Sequence, residues 1–179
     1  MIQRVNVNLD AVEAMLFFWQ SIKDRQKVSE LFIFDVTDML GLKYAYDNEF
    51  NAESVRRALS AISNREIFSG INRQEGRFYN NNLWMLEDLD YTDRLVRPIK
   101  KLNLQFLVER LNASQGSENF EELEVIFSPL HLDEYLIKNN KLIINFFMVK
   151  PCEIDRTAFL GEKELTTFIE EKLKEIMKK

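Results

Sequence analysis

The chain has one histidine and one cysteine, so side-chain chemistry has few candidate residues. His131 lies between Leu130 and Leu132, and an imidazole with an ordinary pKa near ~6.5 could exchange a proton at neutral pH. No pattern typical of a catalytic site surrounds it in the sequence. We therefore expect His131 to be a structural or surface residue.

Cys152 is part of the segment Lys150-Pro151-Cys152-Glu153. Lys150 would favour a reactive thiolate, whereas the carboxylate of Glu153 would oppose it. A single cysteine can form neither an internal disulfide nor a cysteine-based metal cluster. We expect a packed thiol and a reducing compartment, which points to the cytoplasm.

Other catalytic patterns are missing from the sequence as well. It has no glycine-rich phosphate loop, HExxH pattern, nucleophile elbow or calcium loop. The adjacent carboxylates Glu121–Glu122 and Glu170–Glu171 would point to different sides of a strand or helix, so neither pair makes an acid–base site. We predict no enzyme activity, no catalytic residue, no metal and no cofactor.

Composition is that of a globular protein with an aromatic core. The 179 residues are 46% hydrophobic, include 14 phenylalanines and carry a net charge of −5. Buried phenylalanines contribute strongly to a core, so we expect a Phe-rich interior. The N-terminus lacks a signal-peptide pattern, and no apolar run approaches the ~20 residues of a membrane span. We expect no membrane association.

The first half of the chain predicts three helices and then two short strands. Asp10 with Glu13, Ser29 and Asn51 are typical helix starts, and Gly41 is a suitable stop for the second helix. Leu31–Val36 is apolar nearly all round, so a buried strand competes with helix there. Strands are predicted at Ile67–Phe68 and from Arg77, and the polar stretch 72–76 forms the turn between them.

The second half predicts a helical connector followed by a β-hairpin and a helix. Pro98 disfavours continuation of the helix before it, and Lys100–Leu111 returns to helical spacing. Asn139-Asn140 predicts a hairpin turn, and 162–177 predicts an amphipathic helix. The fold class is therefore α+β, with a first unit over 8–86 and a second over 87–179.

The order helix, helix, helix, strand, turn, strand over residues 10–85 resembles the winged helix-turn-helix superfamily. The segment Asn51–Ile62 corresponds to the third helix, and Ile67–Met85 corresponds to the wing. The resemblance implies binding of double-stranded DNA, with the third helix in the major groove and the wing on the backbone, and a role in transcription regulation.

The charge of this region agrees with that expectation. Between residues 51 and 80, five arginines against three glutamates give +2, in a chain of net charge −5. By the resemblance, the third helix would read the groove and the wing would hold phosphates. The DNA-binding residues predicted in this way are Arg56, Arg57, Ser60, Arg65, Arg73 and Arg77.

An interaction module without nucleic acid is the alternative. Asp47 and Glu49 precede the third helix, where a DNA-facing surface would disfavour carboxylates. In the last third, the hairpin with Phe146 and Phe147 and the amphipathic helix after it could form a dimer interface or a small-ligand pocket. The competing interpretation is that these two rings belong to the core, because a hairpin must cover its apolar face.

Overall fold

The computed structural model describes residues 1–155 and 157–179. The main sheet joins a strand near the start of the sequence to three strands from its last third. Its strands are β1 (Arg4–Asn8), β2 (Glu122–Ser128), β3 (Tyr135–Lys138) and β4 (Lys141–Asn145), in the order β1-β2-β4-β3. β1 is parallel to β2 and β2 to β4, whereas β3 and β4 form an antiparallel hairpin. The hairpin turns at Asn139, which adopts the left-handed φ of 53°. The predicted hairpin is confirmed.

Helices fill the long connection between β1 and β2. They are α1 (Asp10–Lys23), α2 (Glu30–Thr37), α3 (Leu40–Lys43), α4 (Ala52–Asn64), α5 (Arg73–Glu87), α6 (Leu89–Lys100) and α7 (Leu107–Asn112). A small antiparallel sheet of β5 (Val149–Pro151), β6 (Ala158–Leu160) and β7 (Lys163–Glu164) follows the main sheet, and α8 (Leu165–Met177) follows that. The predicted α+β class and the C-terminal helix are confirmed.

Side-chain caps explain where several helices begin. The Ser29 hydroxyl accepts the N–H of Phe32 at 3.2 Å, and Asn51 accepts the N–H groups of Glu53 and Ser54. Each bond satisfies an N–H that has no partner within the helix. The predicted starts at Ser29 and Asn51 are therefore confirmed, and Leu31–Val36 is helix rather than strand. Asp10, predicted as a cap, is the first helical residue of α1.

The prediction of a wing over residues 67–85 is wrong. Residues 67–85 contain no strand, because 73–87 form α5. Asn72 caps this helix by accepting the N–H of Glu75 at 3.0 Å, and Phe78, Asn82 and Met85 recur on one face and are buried. A helical spacing of buried residues therefore decides this segment. The helix that follows Asn51 is present, but the strand–turn–strand part of the winged pattern is not.

The core crosses the predicted boundary between residues 86 and 87. One cluster of buried side chains includes Trp19 and Phe50 from the first unit and Phe127 and Phe146 from the second. Trp19 stacks on Phe146 with ring centroids 6.0 Å apart, and its Nε1 donates to Oδ1 of Asn82 at 3.0 Å. The predicted Phe-rich core is confirmed, with Phe146 fully buried in it.

Gly41 brings α3 close to the main sheet. We expected it to end the second helix, but α2 ends earlier and Gly41 lies inside α3. A Cβ atom at this position would lie 2.8 Å from both Cβ and Oγ of Ser128 in β2. The φ angle of Gly41 is outside the left-handed region, so backbone conformation does not require glycine here. The close approach of Ser128 does.

We expect Gly41→Ala to destabilise the protein by about 1–3 kcal/mol, the usual cost of overpacking a core. Gly76→Ala is the matched control, because a Cβ at Gly76 in α5 meets nothing within 4 Å. That change should be neutral or stabilise by up to about 1 kcal/mol through helix propensity. Urea unfolding of both variants measures the difference, and equal stability would contradict the packing of α3 on β2.

Candidate functional site: an apolar face on the first two helices

Large apolar side chains project outward from α1 and α2. Phe17 is 57% exposed, Leu31 71% and Phe34 55%. The ring of Phe17 packs against Phe32 of α2, with centroids 5.2 Å apart. We call Phe17, Leu31, Phe32 and Phe34 the apolar face. Patches of large exposed apolar residues mark interaction sites on soluble proteins.

These residues are exposed because other side chains of the same two helices face the core. In α1, Met15, Phe18 and Trp19 are fully buried, and Phe17 is rotated about 200° from Trp19 around the helix axis. In α2, Ile33 and Val36 are buried, which turns Leu31 and Phe34 outward. The sequence already carried this signal, because a segment that is apolar all round must expose one side when only the other is covered.

Carboxylates lie beside the apolar face. Helices α1 and α2 contain four of them, at Asp10, Glu13, Glu30 and Asp35, against one cation at Lys23. Glu13 lies one turn from Phe17 on the exposed side of α1, and Asp35 lies one turn from Leu31 on α2.

Two of the predicted DNA-binding residues, Arg56 and Arg57, hold different carboxylates. Arg56 donates from Nε to Glu53 Oε2 at 2.8 Å, on the surface of α4. Arg57 pairs with Glu75 of α5, whose side chain is only 3% exposed. Burial acts to raise the pKa of Glu75, but the N–H of Ile71 and the Arg57 guanidinium hold it below its ordinary value.

The other four predicted residues lie in three different places. Ser60 donates to Glu30 at 2.9 Å. Arg65 ends α4 with a left-handed φ of 56° and lines a groove of about 700 Å³. Arg73 and Arg77 line a different groove of about 580 Å³, where Arg77 pairs with Asp133 at 2.9 Å. The structure therefore groups Arg73 with Arg77 at one groove and Ser60 with Arg56 beside Glu30. DNA binding stays a prediction.

His131 lies in the interior, against Phe50, with ring centroids 3.8 Å apart. It is 3% exposed, and its Nδ1 has no hydrogen-bond partner among the described atoms. Burial lowers its pKa to about 4; Arg77 also lowers the value, and Asp47 opposes the shift. A neutral imidazole packed on a phenyl ring is a structural group at neutral pH.

Comparisons with known proteins do not extend this description: no family model, no curated protein and no solved structure matches the chain. In the part of the chain that the structure describes, no group of three or more His, Cys, Asp or Glu side chains could hold a metal ion. Over the same residues, none of the helices has the length and hydropathy to cross a lipid bilayer.

We predict that Arg57→Ala destabilises the protein by about 2–4 kcal/mol, because it leaves the carboxylate of Glu75 buried without its cation. Arg56→Ala removes the exposed pair made by the neighbouring residue of the same helix and should cost less than about 1 kcal/mol. Chemical denaturation compares the two variants. Equal losses would show that the Arg57–Glu75 pair does not join α4 to α5.

We also predict a loss of stability in acid that depends on His131. The unfolded chain protonates this residue near 6.5, whereas the folded chain does so only at about 4, so stability falls as the pH drops between these values. At about 1.4 kcal/mol per pKa unit, the loss reaches about 3 kcal/mol. His131→Phe should remove that part of the slope. An identical slope in the variant would contradict the buried neutral imidazole.

Proposed function

We propose that this chain is a protein-interaction module whose apolar face receives an amphipathic segment of another protein. The observation that carries the proposal is the outward placement of Phe17, Leu31 and Phe34, each more than half exposed on adjoining helices. Aromatic and aliphatic anchors of this kind supply most of the binding energy at protein interfaces.

Charge complementarity identifies the chemistry of the partner. The carboxylates beside the apolar face, and the net charge of −5 of the whole chain, favour lysine or arginine on the incoming segment. They disfavour a homodimer formed by pairing two copies of this face, because a two-fold interface would bring like charges together. A helix with leucines on one side and lysines on the other fits this surface.

DNA binding has less support from the same geometry. Three of the predicted arginines, Arg56, Arg57 and Arg77, already pair with carboxylates, and the segment expected to be a wing is helix. Phosphate contacts would require those pairs to break. A partner at the apolar face needs no such rearrangement.

We place the protein in the cytoplasm, where its single thiol would stay reduced.

The test uses a fluorescent amphipathic peptide of leucine and lysine, long enough for about five helical turns. We expect it to bind the native protein in an anisotropy titration and to bind the double variant Leu31→Asp/Phe34→Asp at least about tenfold more weakly. The two new carboxylates would strengthen a purely electrostatic attraction, so the direction of the change separates docking from charge alone.

Trp84→Asp is the matched control, since Trp84 is a large exposed side chain on α5 rather than on α1 or α2. It should leave the affinity unchanged, and a leucine–glutamate peptide should not bind. Equal or tighter binding by the double variant would overturn the proposal. So would a native homodimer that dissociates when Leu31 and Phe34 are changed, because a second copy would then occupy the face.

A further inference from the structure

We propose that a cleft between α6 and β5, distinct from the apolar face, binds a small organic phosphate. The cleft has a volume of about 430 Å³, within the ordinary range of small-molecule sites. One wall is α6 and the other is the segment that leaves β5. The residues that carry the argument are Arg94, Arg97, Pro98, Lys101, Pro151 and Cys152.

The three cations come to the same wall through helix geometry. Arg94, Arg97 and Lys101 follow at spacings of three and four residues, which places them on one side of α6 and its final turn. The helix continues through Pro98 and ends at Lys100. We expected Pro98 to break the helix, but its ring instead forms part of the cleft wall.

Carboxylates do not fully neutralise these cations. Arg97 pairs with Asp93 on its own helix, and Arg94 lies 3.8 Å from Glu153, at the limit of an ion pair. Lys101 has no ion pair with a carboxylate of the described residues. Of the described residues that line the cleft, Arg94, Arg97 and Lys101 are cations and Glu153 is the one carboxylate, while Asp93 and Asp155 lie beside them. The lining itself is therefore positive, in a chain with a net charge of −5.

The composition of the cleft specifies the kind of anion. Two guanidinium groups and an ammonium group offer several charged donors, which suits the three terminal oxygens and double charge of a phosphate better than a carboxylate. Pro98 and Pro151 add apolar surface beside the cations. The ligand class is therefore a phosphate monoester with an apolar ring or chain, held through its phosphate by α6.

Cys152 makes the proposal measurable. It is the only cysteine of the chain, it lines the cleft, and it is half-buried. Its alkylation by iodoacetamide, a neutral reagent, reports access to the cleft in the intact protein. We expect phenyl phosphate to slow alkylation saturably, and to do so at lower concentration than inorganic phosphate or phenol, each of which supplies only one part of the ligand.

Adjacent lysines supply the matched variants. Lys101→Gln should raise the phenyl phosphate concentration for half-protection about tenfold, by removing a charged donor. Lys100→Gln, which removes an exposed charge outside the cleft, should leave it unchanged. Each rate is taken relative to the same variant without ligand, and thermal unfolding verifies that both variants are folded. Absence of protection, equal protection by phenol, or equal effects of the two variants would overturn the proposal.

Discussion

The burial of Trp19 fixes how α1 is rotated about its own axis, and the rest of the account depends on that rotation. The indole packs on Phe146 from the end of the sheet and donates to Asn82 of α5, so it is held by both halves of the chain. Because a helix has one orientation that satisfies such a residue, its opposite side is committed to solvent. Phe17 lies on that side, where it meets Phe32 of α2.

The same rotation connects the fold with the proposed function. Burying Trp19, Phe18 and Met15 stabilises the joint between the helices and the sheet, while Phe17, Leu31 and Phe34 keep more than half of their surface in water. A partner that covers them would contribute the missing burial. The carboxylates beside them would then favour partners of opposite charge, which affects the rate of association and the choice of partner more than affinity.

How much the sequence could predict depended on whether the deciding contact was local. The cap at Asn51 and the turn at Asn139 act within a few residues, and both were predicted. The segment Ile67–Met85 was mistaken for a hairpin because the polar stretch 72–76, which ends in Gly76, resembles a turn. Its helix is decided by burial of Phe78, Asn82 and Met85 against distant residues. Gly41 is similar, since only its approach to Ser128 in β2 explains it.

The candidate site was less accessible than the fold from sequence alone. The apolar character of Leu31–Val36 was visible, but not which side would be covered. Arginine counts near Asn51 suggested nucleic acid, yet a count cannot show that Arg57 is paired with a buried Glu75 more than fifteen residues later. Pairing of charges depends on how helices meet, and a local sequence pattern does not contain that information.

The most direct measurement is a map of backbone amide chemical shifts while the leucine–lysine peptide is added to the native protein. The account predicts that the shifted amides belong to α1 and α2 around Phe17, Leu31 and Phe34. The amides near Trp84 in α5 should keep their chemical shifts. Shifts concentrated on α5, or spread evenly over the acidic surface, would contradict the claim that the apolar face is the interaction site.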